Sequence, residues 1–265
     1  MSTLVRKTCY IGPEMSIEQF IPEHFFIYMV KGTLNGYVGN KEYSLVAHES
    51  YLVRKNQLGR YNKPAQGEEP EKVILVFDEP FLKKFQERHE VTVEKRMTSE
   101  AAVWLRADER IPEFIHSLQP YYTGSGKIDS SFSEVKREEL LLLLLQTQPE
   151  LAGILFDFGV PEKINLEEFM NRHYTFNISL QQFAFLTGRS LSAFKRDFKA
   201  IFHNTPNRWL VQRRLQEAYL LIHKLRKKPA EIYIDLGFED LSHFSFAFKK
   251  QFGLTPTELA ALKKL

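Results

Sequence analysis

The chain has 265 residues, of which 43% are hydrophobic and 26% are charged, and its formal net charge is +3. This length exceeds the usual size of one domain, and the composition is that of a globular protein, which excludes a disordered or fibrous chain. Cys9 is the single cysteine, so an internal disulfide and a zinc site built from several thiolates are excluded. A lone thiol fits a reducing compartment, and we expect the protein to be cytoplasmic.

The charge is distributed unevenly along the chain. Residues 161–265 contain 17 Lys and Arg against 10 Asp and Glu, a net charge of +7. Residues 1–160 contain the other 19 against 23, a net charge of −4. A basic segment attached to a mildly acidic one indicates a polyanionic partner for the C-terminal part. The apolar run at residues 140–145 is far shorter than the roughly 20 residues that a membrane span requires, so no membrane partner is predicted.

The first part of the chain has the pattern of a β-sheet protein. Between residues 17 and 77, short runs rich in aromatic and β-branched residues alternate with turn residues. Short strands at this spacing predict a sandwich or a barrel. After Pro80 the apolar spacing becomes helical, because Phe81, Leu82 and Phe85 fall on one side of a helix.

Residues 131–148 predict a strong helix that begins with a capping box of Ser131 and Glu134. A helix whose run at 140–145 is apolar on every side must be covered all round. Two interpretations stay open: the helix is buried within its own domain, or it forms a dimer contact. The residues that would make such a contact are Leu141, Leu142, Leu144 and Leu145.

A helix-turn-helix pattern follows. Ser179 and Gln182 have the spacing of a capping box, which begins a helix. Gly188 permits a left-handed turn, and Ser190 begins a second helix. Ala184 is small, as the close crossing of the two helices requires. The predicted inward residues of the second helix are Leu191, Phe194, Phe198 and Ile201.

The same pattern recurs about fifty residues downstream. Ile232 and Leu236 lie on one predicted helix, Gly237 lies in the turn, and Asp240 caps a second helix. The predicted inward residues of that helix are Phe244, Phe248 and Phe252. Thr205-Pro206 begins a long helix that connects the two units, since proline is favoured at the first helical position. Thr255-Pro256 begins a last short helix in the same way.

The segment from Ile232 to Phe238, followed by Phe248-Lys249-Lys250 and Phe252-Gly253-Leu254-Thr255-Pro256, resembles the signature of AraC/XylS-type transcription regulators. The resemblance covers roughly residues 165–262. One position departs from the family pattern, because Tyr233 stands where the family usually has alanine. This departure predicts that the second unit packs its two helices differently from the first.

The resemblance implies an α+β protein of two domains. Residues 1–160 would form a cupin-like β-barrel or jelly roll with helices, which senses an effector or mediates dimerisation. Residues 161–265 would form an all-α DNA-binding domain with two helix-turn-helix units. The implied partners are double-stranded DNA, a small-molecule or protein effector, RNA polymerase if the protein is an activator, and a second copy of the chain.

If each second helix enters a major groove, its outward residues contact the DNA. In the first unit these are Ser192, Ala193, Lys195, Arg196 and Lys199. In the second unit they are Leu241, Ser242, His243, Ser245, Phe246 and Lys249. Arg196 suits bidentate bonding to guanine, whereas lysines suit phosphates. Phe246 either contacts a thymine methyl group or packs inside, and both placements stay open. Two roles stay open for the remaining basic residues, a phosphate contact or a solvated surface position: Arg208, Arg213, Arg214, Lys224, Arg226, Lys227 and Lys228.

The N-terminal part offers no catalytic constellation. A catalytic cupin needs two closely spaced histidines, a carboxylate and a further histidine that converge on one metal ion. His24 and His48 do not give that spacing, and each is predicted to be a surface or turn residue. We therefore expect no catalytic residue, no metal, no cofactor and no enzymatic activity. A barrel interior can still hold an effector, with Phe26, Tyr28 and Tyr37 as candidate lining residues. The alternative is that these residues belong to the core, where aromatic strand residues are found far more often than in a pocket.

Three hypotheses follow from the sequence. The leading one is a bacterial sequence-specific transcription regulator, activator or repressor, that is controlled by an effector through its N-terminal domain. The second is a regulator controlled mainly by a protein that binds this domain. The third is a cupin enzyme with a helical appendage, which would have to purify with bound metal.

Overall fold

The computed structural model describes residues 8–11, 19–39, 41–62, 70–93, 100–121 and 128–262. The chain divides into two compact units, Met1–Gly159 and Val160–Leu265. Within the described residues, every helix is too short or too polar to cross a membrane.

The N-terminal unit is built on two β-sheets. Its strands are β1 Thr8–Ile11, β2 Gln19–Ile21, β3 His24–Lys31, β4 Thr33–Val38, β5 Lys41–Val46, β6 Ser50–Val53, β7 Gln57–Asn62, β8 Glu71–Phe77 and β9 Ala102–Trp104. One sheet has the order β1-β8-β3-β6-β9, and the other has the order β2-β7-β4-β5. Strands β1 and β8 pair in parallel, and the other pairs are antiparallel. The predicted α+β fold class is confirmed.

Strand β3 is buried on both of its faces, and successive side chains point to opposite faces. Phe25 and Ile27 belong to a core between the two sheets. Phe26 and Tyr28 belong to a second core, which lies between the five-stranded sheet and the helices. The helices of this unit are α1 Glu79–Arg88, α2 Arg110–Ser117, α3 Ser130–Thr147 and α4 Ala152–Leu155. The predicted apolar face of α1 is confirmed, since Phe81, Leu82 and Phe85 are buried there.

The start of α3 differs from the prediction. Asp129 is the N-cap, and its carboxylate accepts a hydrogen bond of 2.9 Å from the Ser131 amide. The predicted capping box of Ser131 and Glu134 is therefore wrong. Ser131 lies inside the helix, and the Glu134 carboxylate pairs with Lys84 on α1. An aspartate two residues upstream competes with serine for the same role, because both can cap a helix.

The leucine run of α3 is covered on one side by its own unit. Leu141 and Leu144 are buried in the core beneath the five-stranded sheet, whereas Leu142 is 36% exposed and Leu145 is half-buried. Leu141 and Leu144 therefore cannot make the predicted dimer contact in the folded chain. Phe132 and Val135 lie about three and about two turns before Leu142 on the same side of the helix, and both are exposed.

The secondary structure of the C-terminal unit is helical throughout its described residues, 160–262. Its helices are α5 Leu166–His173, α6 Leu180–Leu186, α7 Leu191–Phe202, α8 Pro206–His223, α9 Pro229–Ile232, α10 Leu241–Phe252 and α11 Pro256–Ala261. Two separate cores form within it. Leu210 of α8 packs with Phe194 and Phe198 in the first core, and Leu215 of α8 packs with Phe244 and Phe248 in the second. The helix α8 therefore joins the two halves of the unit.

Two histidines are buried in uncharged form. His24 lies in β3, so the prediction that it is a surface or turn residue is wrong; its Nδ1 accepts a hydrogen bond of 3.3 Å from the Lys55 amide. Burial, with help from Lys55 and Arg54, lowers the pKa of His24 to about 3. His173 packs between Phe169 and Phe176 at the end of α5, and burial lowers its pKa to about 4.

We expect the free energy of unfolding to fall as the pH drops from 6.5 towards 4. The unfolded chain takes up a proton on each histidine near pH 6.5, whereas the folded chain takes it up only near the lowered pKa. At pH 5 each histidine would cost about 2 kcal/mol of stability. Urea unfolding of wild type and of His24→Asn at pH 7 and pH 5 measures this. The variant should lose less stability between the two pH values, and equal losses would contradict the prediction.

Candidate nucleic-acid interface

The first helix-turn-helix unit consists of α6 and α7, and α6 begins at the predicted capping box. The Ser179 Oγ accepts a hydrogen bond of 3.2 Å from the Gln182 amide, and the Ser179 amide donates one of 2.8 Å to the Gln182 Oε1. Both bonds of the box are therefore present, and this prediction is confirmed. The side chain satisfies amide groups that the first turn of a helix leaves without partners.

The turn between α6 and α7 depends on Gly188. Its φ is +65°, a left-handed conformation that side chains disfavour. A Cβ atom at this position would also lie 2.4 Å from the carbonyl carbon of Glu162 and 2.5 Å from the amide nitrogen of Lys163. The backbone before α5 thus packs directly against the turn. Ala184 is fully buried where α6 meets α7, and Ser190 caps α7.

The exposed side of α7 carries most of the predicted DNA-contacting residues. Ser192, Lys195, Arg196 and Lys199 are exposed, and Ala193 is half-buried. Phe194 and Phe198 are buried as predicted. Ile201 is 39% exposed, so its predicted inward position is wrong. Phe202 takes the inward position instead, and its ring centroid lies 4.6 Å from that of Trp209.

Asp197 forms an ion pair with Arg196, the residue that is predicted to contact a base. The Arg196 Nη2 donates a hydrogen bond of 2.9 Å to the Asp197 Oδ1. The Arg189 Nε donates one of 3.2 Å to the Oδ2 of the same carboxylate. These two guanidinium groups, with Arg196 the larger cause, lower the pKa of Asp197. Arg196 is 76% exposed, so the pair restricts its side chain without removing it from the surface.

Sequence reasoning missed this role of Asp197. The sequence feature that could have indicated this role is the presence of one acidic residue on an otherwise basic face of α7. That signal is weak, because an isolated charge on a helix is usually solvated.

The second helix-turn-helix unit begins with α9, which is shorter than predicted. The helix α9 ends at Ile232, and residues 233–237 continue as turns, although the Leu236 amide still bonds the Ile232 carbonyl at 3.0 Å. Tyr233 is half-buried against the core of this half of the unit. Gly237 has the left-handed φ of +82° that its predicted position in the turn requires. The Asp240 side chain caps α10 by accepting a hydrogen bond of 2.6 Å from the His243 amide.

The exposed side of α10 is less basic than that of α7. Phe244 and Phe248 are buried and Phe252 is half-buried, as expected of an inward face. The outward residues Leu241, Ser242, His243 and Lys249 are exposed, and Ser245 is half-buried. Phe246 is 71% exposed, so of the two placements left open by the sequence, the structure selects the outward one.

Arg214 is not a phosphate-contacting residue. It is buried, and its guanidinium donates to the backbone carbonyls of Tyr174, Phe176 and Gly237 at 2.7, 2.8 and 2.7 Å respectively. Its hydrogen bonds therefore connect the segment after α5 to the turn of the second helix-turn-helix unit. Arg213 is half-buried over the Tyr174 ring. The other predicted basic residues are exposed: Arg208, Lys224, Arg226, Lys227 and Lys228.

The N-terminal unit contains a small apolar cavity between its two sheets. Its volume is about 70 Å³, and Tyr37 lines it together with Phe25, Leu45 and Arg60. Phe26 and Tyr28 lie on the opposite face of β3, so the prediction that they line the barrel interior is wrong. When a strand is buried on both faces, its side chains are apolar on both. The sequence then does not show which set of alternating side chains faces the cavity. Among the residues that the structure describes, no group of three His, Cys, Asp or Glu side chains could hold a metal ion.

Two family models match the chain. The N-terminal regulatory domain of ExsA matches residues 24–154, and a helix-turn-helix domain matches residues 183–261. Two helix-turn-helix units joined by one helix define a double helix-turn-helix protein. Together with the motif at residues 232–256, the matches identify an AraC-type helix-turn-helix domain that follows an N-terminal domain similar to that of ExsA.

Several curated proteins named as transcription regulators are similar to the chain. The virulence regulon transcriptional activator VirF of Yersinia enterocolitica is 29% identical over 136 residues, which is 51% of this chain and 50% of VirF. ExsA of Pseudomonas aeruginosa is 29% identical over 125 residues, which is 46% of this chain and 45% of ExsA. The chain thus spans about half the length of these two relatives.

The similarity to a solved structure extends further along the chain but is weaker. Apo ToxT from Vibrio cholerae has a TM-score of 0.44 and 14% sequence identity, over 92% of this chain and 91% of ToxT.

Proposed function

We propose that the protein is a sequence-specific DNA-binding transcription regulator in which residues 161–265 bind duplex DNA and residues 1–160 control that binding. The observation that carries the proposal is the exposed side of α7. Arg196, Lys195 and Lys199 point outward there, while buried phenylalanines hold the helix on the unit. A helix of this kind can enter a major groove, where arginine suits guanine and lysines suit phosphates. The net charge of +7 on this part of the chain supports the same partner.

Selection of genomic fragments with the purified chain tests this function. We expect enriched fragments to share one site, and Arg196→Ala to lose discrimination at one base pair of it, by about 1–3 kcal/mol. Arg106→Ala is the matched control, because Arg106 is an exposed arginine of the N-terminal unit and its loss removes the same charge. Affinity should fall steeply with salt for each protein. Equal discrimination by the two variants would contradict the role of Arg196, and an absence of shared sites would contradict the proposal.

The size of the inter-sheet cavity favours control by a protein over control by a small molecule. Ligand pockets usually have volumes of about 300–1,000 Å³. The cavity here measures about 70 Å³, which is too small for a metabolite unless the sheets separate. The two modes differ in one measurement. A protein-free filtrate of cell extract changes the DNA affinity of the purified chain under ligand control and leaves it unchanged under partner control.

We also propose that two copies associate through the exposed stripe of α3. Phe132, Val135 and Leu142 lie at helical spacing on that stripe and are each exposed. Apolar side chains at this spacing form helix–helix seams. Glu139 lies between Val135 and Leu142 on the same side of the helix and pairs with Lys136, so one ion pair would interrupt the apolar contact.

Leu142→Glu is expected to shift the chain towards monomer, because a carboxylate in such a seam would be desolvated without a partner. Sedimentation measures the change, and circular dichroism verifies that the variant is folded. Leu144→Glu is unsuitable, since Leu144 is buried and the charge would unfold the unit. A wild-type monomer at micromolar concentration would overturn the proposal.

A further inference from the structure

The two recognition helices are equivalent position by position. Both have twelve residues: α7 is Leu191–Phe202 and α10 is Leu241–Phe252. Each is preceded by a capping residue, Ser190 or Asp240, whose side chain accepts a hydrogen bond from the amide three residues later. A shift of 50 positions therefore superimposes one helix pattern on the other.

The buried residues confirm that this shift is the correct one. Phe194 corresponds to Phe244 and Phe198 to Phe248, and all four side chains are fully buried. Outward-facing Lys199 corresponds in the same way to outward-facing Lys249. The inward faces and the outer lysine are thus the same in both helices.

The helices differ at several outward positions, among them the position predicted to contact a base. Under the same shift, Arg196 corresponds to Phe246. Both side chains are strongly exposed, at 76% and 71% respectively. Asp197, which holds the guanidinium of Arg196, corresponds to Ala247. Arginine and its supporting carboxylate have therefore both been replaced by apolar residues.

An exposed phenylalanine at this position has one suitable contact in a major groove. It can neither donate nor accept a hydrogen bond, so the nitrogen and oxygen atoms on the base edges give it no specific interaction. The C5-methyl group of thymine is the apolar group on those edges. Burying a methyl group against the ring removes apolar surface of both from water.

The inference rests on the proposed DNA-binding function. We propose that Phe246 is a specificity-determining residue that contacts the C5-methyl group of a thymine in the half-site bound by α10. The two units then read DNA by different chemistry. Arg196 discriminates by hydrogen bonds in one half-site, and Phe246 discriminates by apolar contact in the other. Lys249, one turn beyond Phe246, is placed for a phosphate.

Removal of single methyl groups from the DNA tests the inference. Each thymine of the selected site is replaced in turn by deoxyuridine, which lacks the methyl group and keeps the pairing edge. The wild-type 265-residue chain should bind one such site about 4-fold more weakly, the effect of one buried methyl group. Phe246→Ala should bind that site and the parent site equally, because the contact is already lost. Arg196→Ala is the control and should keep the full sensitivity to deoxyuridine.

A second variant tests the equivalence of the two helices. Phe246→Arg should change the preferred base at the same position from thymine to guanine, the base that we propose for Arg196 in the first helix-turn-helix unit. Because Phe246 is exposed, neither of its variants is expected to unfold the helix.

The possible outcomes separate the inference from the function on which it rests. Equal deoxyuridine sensitivity of wild type and Phe246→Ala at every position would overturn the inference while leaving the DNA-binding function intact. Unchanged DNA binding by Phe246→Ala, combined with lost transcriptional output in cells, would assign the side chain to a protein partner instead. Failure of the wild-type chain to select any site would overturn the proposed function and this inference with it.

Discussion

Arg214→Met is expected to lower the free energy of unfolding of the C-terminal unit by at least about 3 kcal/mol. The guanidinium donates three hydrogen bonds of 2.7 to 2.8 Å to backbone carbonyls, and its removal leaves those carbonyls in a site from which water is largely excluded. Each hydrogen bond to a charged group contributes about 1.5–3 kcal/mol, and a buried carbonyl without a donor is costly. Methionine retains much of the apolar volume, so the measured loss reports mainly on the hydrogen bonds.

Tryptophan fluorescence during urea unfolding measures this loss. Trp209 lies in α8, beside the cores of the C-terminal unit, and Trp104 lies exposed in β9 of the other unit. In a Trp104→Phe background the signal therefore reports on the C-terminal unit alone. Arg213→Met in the same background is the matched control and should cost under about 1 kcal/mol, since Arg213 is half-buried over a tyrosine ring. Similar losses for the two variants would contradict the role of Arg214.

The functional consequence of Arg214→Met follows from its position. Its partners Tyr174 and Phe176 precede the first helix-turn-helix unit, and Gly237 is the turn residue of the second. The Arg214 side chain thus helps to hold the two helix-turn-helix units at a constant separation along α8. We expect the variant to lose more affinity for a complete site than for an isolated half-site, because the separation of the units matters only when both bind.

Gly188→Ala is expected to be the second large effect, at least about 2 kcal/mol more destabilising than Gly253→Ala. Both glycines have left-handed backbones, with φ of +65° and +79°, so both variants incur a similar conformational cost of about 1–2 kcal/mol. They differ in their surroundings. A Cβ atom at Gly188 meets the backbone of Glu162 at 2.4 Å, whereas a Cβ atom at Gly253 meets nothing within 4 Å.

The difference in stability between Gly188→Ala and Gly253→Ala measures the steric cost of the new Cβ atom, because the atoms that it meets belong to a backbone. A flexible side chain could rotate away from a new methyl group, but residues 162–163 can yield only by moving the segment that leads into α5. The urea experiment in the Trp104→Phe background measures both variants. Equal losses for Gly188→Ala and Gly253→Ala would show that the backbone before α5 does not press on the turn. A large loss should also weaken DNA binding by the first unit, since this turn sets the angle between α6 and α7.

The features that the sequence by itself determined are local ones. The capping box at Ser179, the left-handed turns at Gly188 and Gly237, and the buried phenylalanines of α7 and α10 were all predicted and are all present. Caps and turns depend on atoms within a few residues of one another, and an amphipathic helix shows its inward face in its own spacing. The helical C-terminal unit and the β-rich start of the chain could therefore be predicted.

Other features depended on contacts between distant parts of the chain, and only the tertiary structure decided them. Arg214 had the pattern of a surface cation, yet it binds carbonyls that lie 23 to 40 residues away. Phe26 and His24 are in a strand buried on both faces, where alternation cannot say which core each side chain joins. Phe246 had two possible placements, and the packing of Phe244 and Phe248 selected one. In each case the burial of a side chain depends on which remote surface covers it, and spacing along the chain does not contain that information.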